Sequence, residues 1–268
     1  MIQNLGKNRI LWFSVALLSL IAAFIGVANP GLYSHVVSTE LMIGILSQDL
    51  ITIATSIFVL FLTVRIKEKD SIKQIVILGI VIYFFYGYGI YVIERFYNVL
   101  YFVYMAIFGL SFYSIIYSVA NIHKEMLPNI QLPKTIRSVS VGFLLINPLI
   151  FYPLWIIKLL PLVQSGQKIE FLYSIFILDC CFIFPLFIIV AIMAAKNEGL
   201  GLLLTPALLI KGFTLIFSVA LGGILQLLFH QQVDAKELWL YLGLSMVFLI
   251  LSVEYFRNLK LSGENGLM

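Results

Sequence analysis

Eight long apolar runs, separated by short polar segments, account for most of this chain. Taken at about 20 residues per crossing, they predict membrane-spanning helices over residues 10–28, 45–64, 75–93, 99–120, 139–160, 171–194, 203–229 and 238–256. The breaks carry ordinary turn and cap chemistry. Asn29-Pro30-Gly31 ends the first run, and Asp234-x-x-Glu237 reads as a capping box that opens the last. The fifth run holds Asn147-Pro148 and Pro153, with Pro161 behind it, so a kink or a break is expected there. Gly26-Val27-Ala28 would also suit a signal-peptide cleavage site. The first apolar run is longer than the usual ~7–15 residues of such a peptide, which favours a retained anchor.

Composition sharpens this picture. The 268 residues are 62% apolar and 11% charged, against roughly half and a quarter in soluble domains. Lipid is therefore the expected solvent and the bilayer the expected partner. The fold class is an all-α polytopic bundle forming a single transmembrane domain over 1–268. The net charge of +4 reads as topology rather than as a nucleic-acid footprint. Of 17 Lys and Arg, twelve fall on one side of an eight-span arrangement. Arg95, Lys158, Lys168 and Lys236 fall on the other, and Lys211 lies within a span. By the positive-inside rule both termini are cytoplasmic.

Candidate chemistry is sparse. Asp179 in the sixth span and Lys211 in the seventh are ionisable groups at membrane depth, which by default mark a functional or specific packing site. If the seventh helix begins near Leu200, the two residues can pair along the lysine stem. If Thr205-Pro206 is instead an N-cap followed by proline at the first helical position, Lys211 sits in the second turn and snorkels to the headgroups. Asp179 must be protonated, paired or in a wet cavity, as part of a polar pocket or as interhelical glue.

Asp49, with Ser47 and Gln48, opens the second span near the depth of Glu94 and Arg95. Together with His230 these could line an outward vestibule, or simply mark the membrane edge. Nine of the 14 tyrosines lie between Tyr83 and Tyr117. The group Tyr86, Tyr88, Tyr91, Tyr97, Tyr101 and Tyr104 reads mainly as an interfacial belt, with an aromatic-lined binding mouth as the alternative. Ser218-x-x-x-Gly222 permits close helix contact. His35, His123 and His230 have no metal spacing, and the adjacent Cys180 and Cys181 suggest neither a metal site nor a disulfide. No phosphate loop, nucleophile elbow or zinc-protease motif is present, so neither a cofactor nor a metal is expected. A lysine in a late span invites a retinal Schiff base as in rhodopsins, but an eighth span follows it and no tryptophans group around it.

The set Ser47-Gln48-Asp49-Leu50, the run Phe96-Tyr97-Asn98-Val99-Leu100-Tyr101, Leu178-Asp179 with Phe184-Pro185, and Pro206-Ala207-Leu208-Leu209-Ile210-Lys211-Gly212 resembles a family of uncharacterised bacterial polytopic membrane proteins. That resemblance implies fold and a multi-pass place in the cell membrane, as expected for a bacterial plasma membrane, and carries no activity. From charge at depth and the prolines, the leading functional expectation is transport or binding of a small solute. The lack of a visible inverted repeat counts against the common transporter folds. The alternatives are a membrane-embedded enzyme acting on a lipid or isoprenoid with Asp49, Glu94 or Asp179 as acid or base, and an accessory or structural membrane subunit. Oligomerisation is compatible with all three.

Overall fold

The computed structural model describes residues 1–39, 41–169 and 172–261. Among them the chain is helical, with two isolated β-bridges and no named strand. The long helices are α1 (Leu5–Ala28), α2 (Met42–Arg65), α3 (Ser71–Ile93), α4 (Tyr101–Ala120) and α5 (Lys134–Ser165). There follow α6 (Tyr173–Leu178), a π-helical stretch (Asp179–Ile183) that leads into α7 (Phe184–Ala195), then α8 (Gly199–Leu228) and α9 (Ala235–Asn258). With α6 through α7 taken as one segment, eight helices are long and apolar enough to cross a membrane. The chain is a polytopic helical membrane protein. The expected start of the sixth span, Phe171, lies outside the described residues.

Helix ends follow local chemistry. Asp234 Oδ1 accepts the Lys236 N–H at 2.8 Å at the start of α9, as the capping signal predicts. Arg95, Asn197 and His230 adopt left-handed φ of 57°, 61° and 57°. Each is the residue just past a helix end, closed by the paired 6→1 and 5→2 bonds of a Schellman turn. Arg95 and His230, read in the sequence as possible vestibule groups, are thus C-terminal turn residues, and both are exposed.

Two compact units can be distinguished. The first comprises Met1–His123 and Pro206–Val253. Its α3 is the enclosed helix, with residues from Ile77 to Tyr86 all buried. At Gly79 a side chain would stand 2.7 Å from the Ala207 carbonyl oxygen of α8, so glycine sets that close approach. Gly222 likewise meets Ser47 of α2, at 3.1 Å from its Oγ, as the small-residue spacing suggests. One end of this unit is stitched by the N-terminus. The Met1 ammonium donates to the Glu68 carbonyl (3.1 Å), the Ile2 N–H to Gln74 Oε1 (2.9 Å) and the Gln3 N–H to the Asn121 carbonyl (2.7 Å). These bonds bring the basic segments around Lys7 and Lys67 to one end, the one that charge counting assigns to the cytoplasm.

The second unit comprises Lys124–Thr205 and the chain from Glu254, described to Leu261. Here α5 runs as one helix through Pro148, Pro153 and Pro161, so of the expected kink or break it shows no break. Each proline removes one backbone bond, and the remaining bonds hold the helix together. The sixth span is itself irregular. Over Asp179–Ile183 the backbone widens to i→i+5 bonding, and the Phe184 N–H reaches the Asp179 carbonyl. In that register the donor due to the Cys180 carbonyl is residue 185, a proline without an N–H. The Tyr152 hydroxyl supplies the missing donor at 2.7 Å.

The same device recurs at α8. Pro206 leaves the Leu202 carbonyl without its i+4 donor, and the Tyr255 hydroxyl donates to it at 2.7 Å. Thr205 is an interior residue of α8, its Oγ1 donating back to the Gly201 carbonyl at 2.8 Å. The N-cap alternative at Thr205-Pro206 is therefore overturned, because the helix already begins at Gly199.

Candidate functional site

The densest polar cluster lies in the first unit, around Asp49. This residue is in the second turn of α2 and only 2% exposed. Its Oδ2 accepts from the Tyr33 hydroxyl at 2.8 Å and its Oδ1 from the Tyr91 hydroxyl at 3.1 Å. Among the described residues no Lys, Arg or His forms an ion pair with it. Neither Gln48, Glu94 nor Arg95 bonds to it. An ionised carboxylate so buried without a counter-charge is costly, which makes this arrangement unusual among structural contacts.

Three local features build the clamp. Tyr91 occupies the last turn of α3, where the Phe96 N–H returns to the Tyr91 carbonyl at 3.0 Å. The Phe96 ring stacks on the Tyr91 ring at 4.9 Å, the apolar contact that accompanies a Schellman turn. Tyr33 sits in the turn after the short 3-10 segment Pro30–Leu32, and its side chain is buried while Pro30, Gly31, Ser34 and His35 are exposed. Gly26 of α1 forms the wall, since a side chain there would collide with Asp49 Oδ2 and the Tyr33 hydroxyl. Burial, with the charge of Asp49 beside it, pushes the Tyr33 phenol far above its usual range, so the hydroxyl remains a donor.

Further tyrosines surround this core. Tyr88 and Tyr104 lie 5.6 Å and 5.1 Å from the Tyr91 ring. The Tyr88 hydroxyl donates to the Ser19 carbonyl at 3.0 Å, and Asn98 Nδ2 donates to the Tyr104 hydroxyl at 3.3 Å. One turn deeper, the Tyr83 hydroxyl bonds Thr52 Oγ1 at 3.1 Å and the Gln48 carbonyl at 3.2 Å. The Gln48 side chain points elsewhere, against Gly87, where a Cβ would be 2.9 Å from its Nε2.

This corrects the reading of the tyrosines as an interfacial belt. Tyr86, Tyr88, Tyr91 and Tyr104 are buried inside the protein. Tyr97, at 65% exposed, is placed as a belt residue should be. Tyrosine position along a span gave depth but not facing, and α3 turns every face toward protein. Tyr33 and Gly26 carried no chemical signal in the sequence.

The remaining candidates are not bonded to Asp49 among the described residues. Glu94 is buried at the C-terminal cap of α3. Lys211 is 3% exposed, with its Nζ 4.1 Å from the centre of the Tyr86 ring. Because α8 begins three turns before Lys211, the placement of this lysine in the second turn of its helix is overturned. In the second unit Asp179 opens the π-helical stretch, and its Oδ2 accepts from Trp155 Nε1 at 2.9 Å. Lys158 stands over the Trp155 ring at 5.1 Å.

The comparisons with known proteins are empty. No family model matches the chain, and neither a curated protein nor a solved structure matches it. Among the described residues no three of His, Cys, Asp and Glu converge as metal ligands. Chemically, the Asp49 cluster offers one carboxylate, several phenolic donors and aromatic walls. That equipment suits recognition of a solute through charge and hydrogen bonding.

Proposed function

We propose that this protein binds and carries a small solute through the bilayer, in the plasma membrane of a bacterial cell as its family resemblance implies. Asp49 is the centre of the solute site. One observation carries the reading: a carboxylate buried within a membrane-spanning helix, each oxygen held by a tyrosine hydroxyl and, among the described residues, neither by a cation. Intramembrane ionisable groups mark substrate and ion pathways, and discontinuous or distorted helices accompany them in carriers. The π-helical stretch that Asp179 opens is such a distortion, and Asp179 and Lys211 remain secondary candidates, each within its own unit.

Uptake of a labelled panel of amines, amino acids, carboxylates and sugars tests the proposal, in cells expressing wild type or Asp49→Asn at equal membrane abundance. Wild type should change the accumulation of at least one class, and the variant should lose most of that change. Equal accumulation by both, or no change by either, sinks the reading.

A further inference from the structure

The geometry points to a small organic ammonium cation as the occupant of the Asp49 site, admitted when it displaces the hydroxyl of Tyr33. This deepens the solute-site reading and rests on it.

The first ground is charge. Asp49 has two hydroxyl donors and no cation within salt-bridge distance among the described residues. A hydroxyl neutralises nothing. An organic ammonium would supply the missing positive charge, and an N–H or, in a quaternary ammonium alcohol, the hydroxyl would supply the donor. An anionic solute would meet repulsion, and a neutral one would leave the charge uncompensated.

The second ground is the wall. Tyr33, Tyr88, Tyr91, Tyr104 and Phe96 are linked ring to ring, with centroid separations from 4.9 to 6.4 Å. Aromatic rings beside a carboxylate form the usual environment for an organic ammonium, because the ring quadrupole attracts a weakly hydrated cation. A small inorganic cation keeps its water shell and gains less from such walls.

The third ground is the unequal hold on the two tyrosines. Tyr91 is fixed by its helix, by the Schellman turn and by the stacked Phe96. Tyr33 belongs to an irregular connection in which Asn29, Pro30, Gly31, Ser34 and His35 are exposed. On this proposal its hydroxyl leaves Oδ2, at the cost of its edge contacts with the Tyr91 and Phe96 rings, while α1, α2 and α3 stay in place. Tyr33 is therefore the movable side of the clamp and a positioning residue for entry. Its phenol competes with the cation for Oδ2.

Binding of radiolabelled choline to the purified full-length protein tests this, read together with Tm in choline chloride against sodium chloride at equal ionic strength. The neutral carbon isostere of choline, 3,3-dimethylbutan-1-ol, is the control. Choline should bind saturably and raise Tm by at least a few degrees, and the isostere and sodium should not. Asp49→Asn should abolish both effects. Tyr33→Phe, which keeps the ring and removes the competing hydroxyl, should bind choline several-fold more tightly.

Equal action by the isostere or sodium overturns the proposal, as does choline binding that survives in Asp49→Asn. If Asp49→Asn does not fold, Tyr33→Phe decides: unchanged or weaker binding overturns it. Asp49-dependent binding of an acid or a sugar from the uptake panel, with choline inert, ends the cation inference and leaves the solute site standing. Absence of any Asp49-dependent solute ends both.

Discussion

Asp49 and Asp179 are both carboxylates within spans, and the protein treats them differently. Asp49 sits in a regular helix and is gripped from a turn and from a neighbouring helix, in the unit built on α3, whose apolar window is 83% buried. Asp179 sits where its own helix is distorted, with its indole partner on α5, whose window is 11% buried. Both carboxylates are buried, Asp49 at 2% and Asp179 at 9% exposed, although the helices that hold them differ in how much of their surface faces protein. What separates the two is the backbone that carries them, a regular helix for Asp49 and a π-helical stretch for Asp179.

The severest test of that contrast is glycine. Gly26→Ala places a methyl group against Asp49 Oδ2 and the Tyr33 hydroxyl. Overpacking combined with a broken buried hydrogen bond should cost about 2–4 kcal/mol. Gly142 of α5 has open space around its would-be Cβ. Gly142→Ala should be neutral or gain up to ~1 kcal/mol from helix propensity. Thermal unfolding of the two variants in the same detergent measures both, and similar Tm values would dissolve the distinction between the units.

Removing charge comes next. Asp49→Asn puts N–H donors where a hydroxyl already donates, so one buried group loses its partner at about 1–3 kcal/mol. In Asp179→Asn the amide oxygen still accepts the Trp155 N–H, and the sparser packing of α5 should make the loss smaller. Chemical denaturation that ranks Asp179→Asn as the costlier of the two would reverse the comparison.

Much of this architecture was legible because lipid imposes it. Helix boundaries fall within about five residues of the apolar runs, since every crossing must bury its backbone bonds internally. The cap at Asp234 was legible for the same local reason. The face of each helix was not. In lipid, an apolar residue suits protein and membrane equally, so periodicity does not separate them, and the tyrosines of α3 read as a belt. Thr205-Pro206 misled because a threonine before a proline is a good helix start, yet the helix continues when a distant tyrosine caps the freed carbonyl. No sequence pattern of α8 alone reveals Tyr255.

That substitution of a phenol for a missing N–H gives a finer test within the second unit. Tyr152→Phe should cost about 1 kcal/mol, the worth of a buried hydrogen bond. Pro185→Ala restores a backbone donor, so the tyrosine should matter less in its presence. A double-mutant cycle should show coupling of about 0.5–1.5 kcal/mol between the two. Tyr255 and Pro206 should behave alike. Strict additivity in both cycles would mean that the hydroxyls do not stand in for the prolines' absent donors.

The smallest effect concerns a carboxylate in neither cluster. Asp70 lies in the turn before α3, its Oδ2 accepting from Lys73 Nζ at 2.9 Å and from the Lys67 N–H at 3.1 Å. The Lys73 hydrogen bond, followed by that of Lys67, holds its carboxyl below the usual carboxylate range. A depressed folded pKa contributes stability that is present above the unfolded value of roughly 4. It is lost as pH falls through the lower, folded value. The pair is partly exposed, so the contribution should be only about 0.3–0.5 kcal/mol. Asp70→Asn should thus lower Tm slightly at pH 7, and the difference from wild type should shrink as the buffer is taken toward pH 3. High salt should erase it as well, because this carboxylate faces water. A salt-sensitive Tm difference for Asp49→Asn of similar size would place Asp49 in that same solvated class and remove the reason to treat it as a site.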